Sequence, residues 1–109
     1  MTLREMFAKE FVRENGNAVI SLPEERIKEL KNWDEIEFLF SFLADHECTV
    51  IGEQFCLNNY EMGCAVFDEF ADKVYVFPFR FLEDMKEGKD VTLTGKEPTE
   101  EDREELKRW

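Results

Sequence analysis

The strongest constraint on the fold lies between residues 47 and 79, where short apolar runs leave no polar face. Successive residues of a strand point to opposite sides of a sheet. One alternating set is Ile51, Phe55, Leu57, Ala65 and Phe67. The other set is Cys48, Val50, Cys56, Cys64 and Val66. A sheet that is apolar on both sides needs cover on both sides, from helices or from another subunit.

These runs predict an antiparallel β-meander of three to four strands. The predicted strands are Cys48–Ile51, Phe55–Leu57, Cys64–Phe67 and Val74–Phe79. The turn-forming segments between them are Gly52-Glu53, Asn58–Gly63 and Phe70–Lys73. Pro78 cannot donate a hydrogen bond to a neighbouring strand, so we expect it at a sheet edge or a strand end.

The N-terminal third predicts two helices with a short strand between them. Apolar residues at helical spacing predict a first helix over Leu3–Glu14, with Thr2 and Glu5 spaced as a capping box. Asn15-Gly16-Asn17 would end it, and Ala18–Ile20 is a strand candidate. Ser21 as cap and Pro23 in the first turn then predict a helix running through Leu30 toward Trp33.

The segment Asp34–Asp45 fits two structures. Ile36, Leu39, Phe40 and Leu43 share one face of a helix, whereas Ile36, Phe38, Phe40 and Phe42 alternate as in a strand. We favour the helix, because Asp34 can cap it. Further on, the pattern predicts a short helix near Arg80–Glu87, a strand at Val91–Leu93 and a charged last helix, Glu100–Trp109, capped by Thr99.

The chain therefore reads as one α+β domain over residues 1–109, with a small antiparallel meander packed against N-terminal helices and a charged C-terminal helix. No apolar run is long enough to cross a bilayer, and the N-terminus lacks the pattern of a secretory signal. Three Cys residues form no disulfide framework. We expect a cytoplasmic protein that binds neither membranes nor nucleic acid directly.

Charge placement is the main indication of function. Asp and Glu number 26 against 14 Lys and Arg, a net charge of −12, which disfavours contact with phosphates. Residues 32–72 contain ten acids and no Lys or Arg, while the flanking segments are nearly balanced. The ten acids are Asp34, Glu35, Glu37, Asp45, Glu47, Glu53, Glu61, Asp68, Glu69 and Asp72. They are the predicted partner-binding residues if they form one surface; otherwise they are a solvated face that only prevents association.

This asymmetry predicts an acidic protein-binding module rather than an enzyme, with exposed Phe residues or Trp33 as anchors. Its partner would be a basic protein, such as a nuclease or another protein that handles nucleic acid. In its narrower form the module would inhibit that partner by imitating nucleic acid, as small acidic phage proteins of the anti-restriction or anti-CRISPR kind do; the likeness is one of size and charge. A homo-oligomeric structural or regulatory protein, such as a homodimer, is the alternative that a two-sided apolar sheet suggests.

A metal or thiol site is the third hypothesis. Cys48, Cys56 and Cys64 recur every eight residues, and His46 precedes them. Zinc accepts such ligands, but the close Cys spacing of structural zinc sites is missing, so buried core thiols and no cofactor are the expectation. On a strand, His46 and Cys48 would lie too far apart for a base and its nucleophile. The turn that contains Asp68, Glu69 and Asp72 could bind a cation, but the spacing of its acids does not match that of a calcium-binding loop.

Overall fold

The computed structural model describes residues 9–57 and 61–108, with side chains described for 9–52 and 62–108. Within these residues the chain forms two antiparallel sheets and four helices. The strands are β1 (Phe11–Glu14), β2 (Asn17–Ile20), β3 (Cys48–Leu57), β4 (Glu61–Asp68), β5 (Lys73–Pro78), β6 (Val91–Leu93) and β7 (Gly95–Lys96). The helices are α1 (Glu24–Asn32), α2 (Glu35–Ala44), α3 (Phe81–Lys86) and α4 (Glu100–Lys107). The predicted α+β fold is confirmed.

The first sheet has the strand order β1-β2-β6 and corrects the helix predicted over Leu3–Glu14. Phe11–Glu14 is a strand that pairs with β2, with Glu14 opposite Asn17; residues 1–8 lie outside the described residues. Asn15 and Gly16 both have positive φ, 53° and 80°. A two-residue Asn-Gly turn of this kind matches the twist of a hairpin, so it joins two strands where a helix end was expected.

The second sheet has the order β3-β4-β5-β7 and contains the predicted meander. The turn predicted at Gly52-Glu53 is wrong, because β3 continues through it to Leu57. The register against β4 shifts there, between Val50 and Gly52 and again between Gly52 and Phe55. A glycine inside a strand marks a bulge as readily as a turn. Pro78 is the last residue of β5, at the predicted strand end.

Both faces of the second sheet are covered by the chain itself. Cys48, Val50, Cys64 and Val66 join the main core, which also contains buried residues of α2. On the opposite face, Leu106 of α4 packs with Ile51, Phe67 and Val74. The predicted division of these residues between two apolar faces is confirmed, while the side chains of Phe55, Cys56 and Leu57 lie outside the described set.

The helical interpretation of residues 34–45 is confirmed. Asp34 caps α2 by accepting hydrogen bonds from the backbone N–H groups of Ile36 (3.0 Å) and Glu37 (3.2 Å). Its core-facing residues are Phe38, Leu39, Phe42 and Leu43, all at most 1% exposed. At the preceding helix, Pro23 rather than Ser21 occupies the cap position, because Ser21 donates instead to the carboxylate of Asp90.

Candidate functional site

Eight of the ten predicted partner-binding acids have described side chains, and these eight separate into three groups when the chain folds. Asp34, Glu35 and Glu37 lie at the start of α2, and Asp45 and Glu47 lie just past its end, close to Glu69. Asp68 and Asp72 bracket the β4–β5 turn. The side chains of Glu53 and Glu61 lie outside the described set. The described acids therefore lie around α2 and the β4–β5 turn rather than in one row.

Asp68 is buried, so it leaves the candidate surface. Its carboxylate accepts from Arg13 Nε (2.6 Å) and from the hydroxyl of Tyr75 (2.7 Å), besides the backbone N–H groups of Phe70 (3.0 Å) and Ala71 (3.2 Å). Burial opposes ionisation, but the hydrogen bonds from Arg13 and Tyr75 outweigh it and hold the pKa of Asp68 below its ordinary value. This acid stabilises the fold and cannot contact a partner.

Three further acids pair with basic residues from the flanking segments. Glu35 pairs with Lys86 of α3. Asp45 pairs with Arg26 of α1 at 2.8 Å, and Asp72 pairs with Arg103 of α4 in a bidentate contact with both distances 3.1 Å. These contacts reduce the electronegative potential that the uninterrupted acidic segment led us to expect.

Four of the ten acids are exposed and make no ion pair with any residue in the described part of the chain: Asp34, Glu37, Glu47 and Glu69. Glu37 lies in the first turn of α2. Glu47 follows the other end of α2, and its carbonyl accepts from the backbone N–H of Glu69 at 3.0 Å. The unpaired carboxylates thus lie near the two ends of α2.

Between these acids α2 exposes apolar side chains, which we call the α2 face: Ile36, Phe40 and Ala44. Their spacing of four places them on one side of the helix. Ile36 and Phe40 are each 38% exposed, and Trp33, just before the helix, is 51% exposed. The sequence pattern placed Ile36 and Phe40 on one helical face with Leu39 and Leu43, two residues that the structure buries. The pattern could not identify which side of α2 faces solvent, because apolar residues surround most of the helix and such a helix is normally buried on all sides.

A groove of about 170 Å³ runs between the α2 face and β3. It is lined by Phe40, Ala44, Cys48, Thr49 and Val50. A cavity of roughly 150 Å³ is enough to hold benzene, so this groove accepts one large apolar side chain. Within the described residues β3 pairs with β4 alone, which leaves its other edge beside the groove.

Cys48 and Cys64 belong to the main core, and the ring of His46 packs beside it on Phe11 and Phe42. Cys48 and Cys64 are both buried, and no three His, Cys, Asp or Glu side chains among residues 9–52 and 62–108 gather as metal ligands. Burial and the nearby charge of Asp68 raise the pKa of Cys48 to about 12. Its thiol contacts the backbone oxygen of His46 (3.5 Å), not the ring, so the pair lacks the geometry of a nucleophile and its base.

A buried ionic cluster, absent from the sequence predictions, holds the end of α2. Glu10 is fully buried and accepts from Arg26 Nη2 (3.0 Å) and Nε (3.1 Å), and His46 Nε2 lies 2.8 Å from Glu10 Oε1. The His46 ring stacks on Phe11 with 5.2 Å between centroids. Every buried side-chain nitrogen and oxygen of the described residues has a hydrogen-bond partner. The cluster therefore fixes α1, α2 and the start of β1 relative to one another.

No helix in the described ranges combines the length and the apolar character that a membrane span requires. Comparisons of the chain with protein-family models, with curated proteins and with solved structures found no match.

Proposed function

We propose that this chain is an acidic protein-binding module and that the α2 face contacts a basic, partly apolar region of another protein. The observation that carries the proposal is the exposure of Ile36 and Phe40 on a helix that has Glu37 near one end and Glu47 past the other, both without a cationic partner among the described residues. Exposed apolar patches with polar rims are typical of interaction sites. Exposed acids beside the patch favour a partner that carries Lys or Arg and steer its approach.

The energy available from the α2 face alone is small. Burying what remains exposed of Ile36 and Phe40 contributes roughly 1 kcal/mol for each side chain. A dissociation constant of 1 μM corresponds to about 8 kcal/mol. Apolar contact must therefore be joined by charge pairing with Glu37 and Glu47, and by further hydrogen bonds, for a specific complex to form.

Imitation of nucleic acid is the narrower form of this proposal. Duplex DNA presents one charge per roughly 1.7 Å of axis. The described acids instead cluster near the two ends of α2, about 15 Å apart for a ten-residue helix. Asp68, Asp45 and Asp72 already contact arginine side chains of this chain, which argues against mimicry by all ten acids. Displacement of duplex DNA from that partner would support the narrower form.

The experiment is affinity capture from the source cells with the full chain and matched variants. We expect one basic protein to be retained by the native chain, lost with Phe40→Ser and with Glu37→Lys, and released by raised salt. Met62→Ser and Glu25→Lys are the controls: Met62 is 43% exposed in the second sheet, and Glu25 is an exposed acid of α1. Equal retention by all five proteins would contradict the proposal.

A further inference from the structure

Building on the proposed protein-binding function, we propose that the partner binds as an extended basic strand. It lies along the edge of β3 that pairs with no strand in the described part of the chain, and it places one apolar side chain in the groove between β3 and the α2 face. The occupant is thus a segment of another protein in which a Lys or Arg stands on either side of an apolar residue. The proposal names both the recognised conformation and the recognised pattern.

The edge of β3 supplies the hydrogen-bonding groups that the α2 face lacks. β3 is the outermost strand of the sheet order β3-β4-β5-β7 in the described part of the chain. An edge strand presents a row of N–H and C=O groups that a further strand can pair with. Such pairing provides affinity through the main chain, and pockets for alternate side chains provide specificity.

The bulges of β3 restrict pairing to its first residues. The register against β4 is regular from Cys48 to Val50 and shifts on either side of Gly52. A bulge bends the strand and interrupts its ladder, so an added strand loses its register there. The regular part is the part that lines the groove at Cys48, Thr49 and Val50. Only a short segment of the partner is therefore recognised.

The acids are spaced for basic residues on both sides of the apolar one. About 11 Å of helix separates Glu37 from the last residue of α2, Ala44, and Glu47 follows three residues later. In an extended strand, residues four apart point to the same side and lie about 13 Å apart. We therefore propose a partner segment that runs alongside α2 with the pattern basic, any, apolar, any, basic, whose two charges have this separation and whose central side chain enters the groove.

A helical partner fits this surface less well. A helix that binds in a groove uses several anchors, at positions i, i+3 or i+4, and i+7. The groove beside Phe40 accepts about one large side chain, judged from its volume of about 170 Å³. A groove for one side chain, beside a strand edge that pairs with no other described strand, matches an extended partner that inserts a single apolar side chain.

The test uses the full chain and a capped peptide, Lys-Thr-Phe-Thr-Lys, at low ionic strength, with affinity measured by titration. Two N-methylated versions block alternate backbone N–H groups: one is methylated at the first, third and fifth residues, the other at the second and fourth. We expect one version to lose about tenfold or more in affinity and the other to bind like the parent. Lys-Thr-Ser-Thr-Lys and Glu-Thr-Phe-Thr-Glu should bind at least about tenfold more weakly. Phe40→Ser should weaken binding of the parent peptide, and Met62→Ser should not.

Each contrary outcome has a distinct meaning. If both methylated peptides bind like the parent, or if a Lys- and Leu-rich helical peptide binds more tightly through Phe40, the strand inference is overturned while the proposed function stands. Sedimentation that shows a dimer disrupted by Phe40→Ser would identify a second copy of the chain as the occupant and overturn the inference. If neither peptide nor captured protein depends on Phe40 and Glu37, both proposals fail.

Discussion

Asp68 was predicted to bind a partner, but its buried contacts indicate that it stabilises the fold, and a substitution can measure by how much. Asp68→Asn keeps the size of the side chain but removes the charge that Arg13 and Tyr75 contact. Removal of one partner from a buried ion pair costs about 3–5 kcal/mol. Because the amide oxygen can still accept from the N–H groups of Phe70 and Ala71, we expect the low end of that range, about 3 kcal/mol.

Urea unfolding at pH 7, followed by far-ultraviolet circular dichroism, measures this loss. With a slope of about 1–3 kcal/mol per molar, the midpoint should fall by roughly 1–3 M without a change in slope. Asp72→Asn is the matched control, since Asp72 is exposed and pairs with Arg103 at the surface; it should lower the midpoint far less than Asp68→Asn does.

The loss should also depend on pH in a defined direction. The pKa of Asp68 is lower in the folded state than in the unfolded chain, where about 3.9 is usual. Its stabilising contribution is therefore fully present above that unfolded value and declines as the pH falls through the folded value. The difference between native protein and Asp68→Asn should shrink in acid. Equal costs for the Asp68 and Asp72 variants, or a difference that grows in acid, would refute the reasoning.

Three further predictions concern residues around the candidate site and the sheets. Glu47 has a φ of 60°, a conformation that disfavours most side chains but that Asn tolerates. Glu47→Asn should therefore stabilise the fold by up to about 1 kcal/mol in urea unfolding, and it should weaken binding of the basic peptide because the carboxylate is lost. Unchanged binding would exclude Glu47 as a contact. Gly95→Ala would place a Cβ atom on top of the carbonyl oxygen of Gly16, so we expect its melting temperature to fall well below that of a Gly52→Ala control, whose Cβ would meet only the side chain of Ala65 at 3.7 Å. Equal melting temperatures would contradict the packing of β7. Cys48 is buried and its pKa is raised to about 12, so its thiol should resist iodoacetamide at pH 8 until the chain is unfolded. Peptide mass spectrometry measures the modification, and rapid reaction of Cys48 in the folded protein would contradict its burial.

The elements whose signals are local were predictable from the sequence. Asp34 as the cap of α2, Thr99 as the cap of α4 and the strand Val91–Leu93 depend on residues adjacent in the chain. The division of the second sheet into two apolar faces followed from alternation alone, because that period fixes which side a residue occupies.

The N-terminal hairpin was missed because two signals of different range compete there. The spacing of Phe7 and Phe11 favours a helix, whereas Asn15-Gly16 favours a hairpin turn. In the hairpin, Phe11 pairs with Ile20 and both side chains are buried in the core. Tertiary burial decided between two locally acceptable structures.

The candidate site was predictable only in part. Composition identified the acidic segment, but pairing of Glu35 with Lys86, and of Asp72 with Arg103, joins residues 51 and 31 positions apart. No local pattern contains such contacts. The exposure of Phe40 rather than Phe38 depends equally on which side of α2 the sheets cover, and that follows from the packing of the whole chain.

The most direct test of the account is a map of backbone amide chemical shifts of the ¹⁵N-labelled full chain during titration with Lys-Thr-Phe-Thr-Lys. We expect the largest changes at Ile36, Phe40 and Ala44 and along Cys48–Ile51, with little change in α1 or α4. Changes centred on α4 or on the β4–β5 turn, or no saturable change at low ionic strength, would contradict the claim that the α2 face and the edge of β3 form the binding surface.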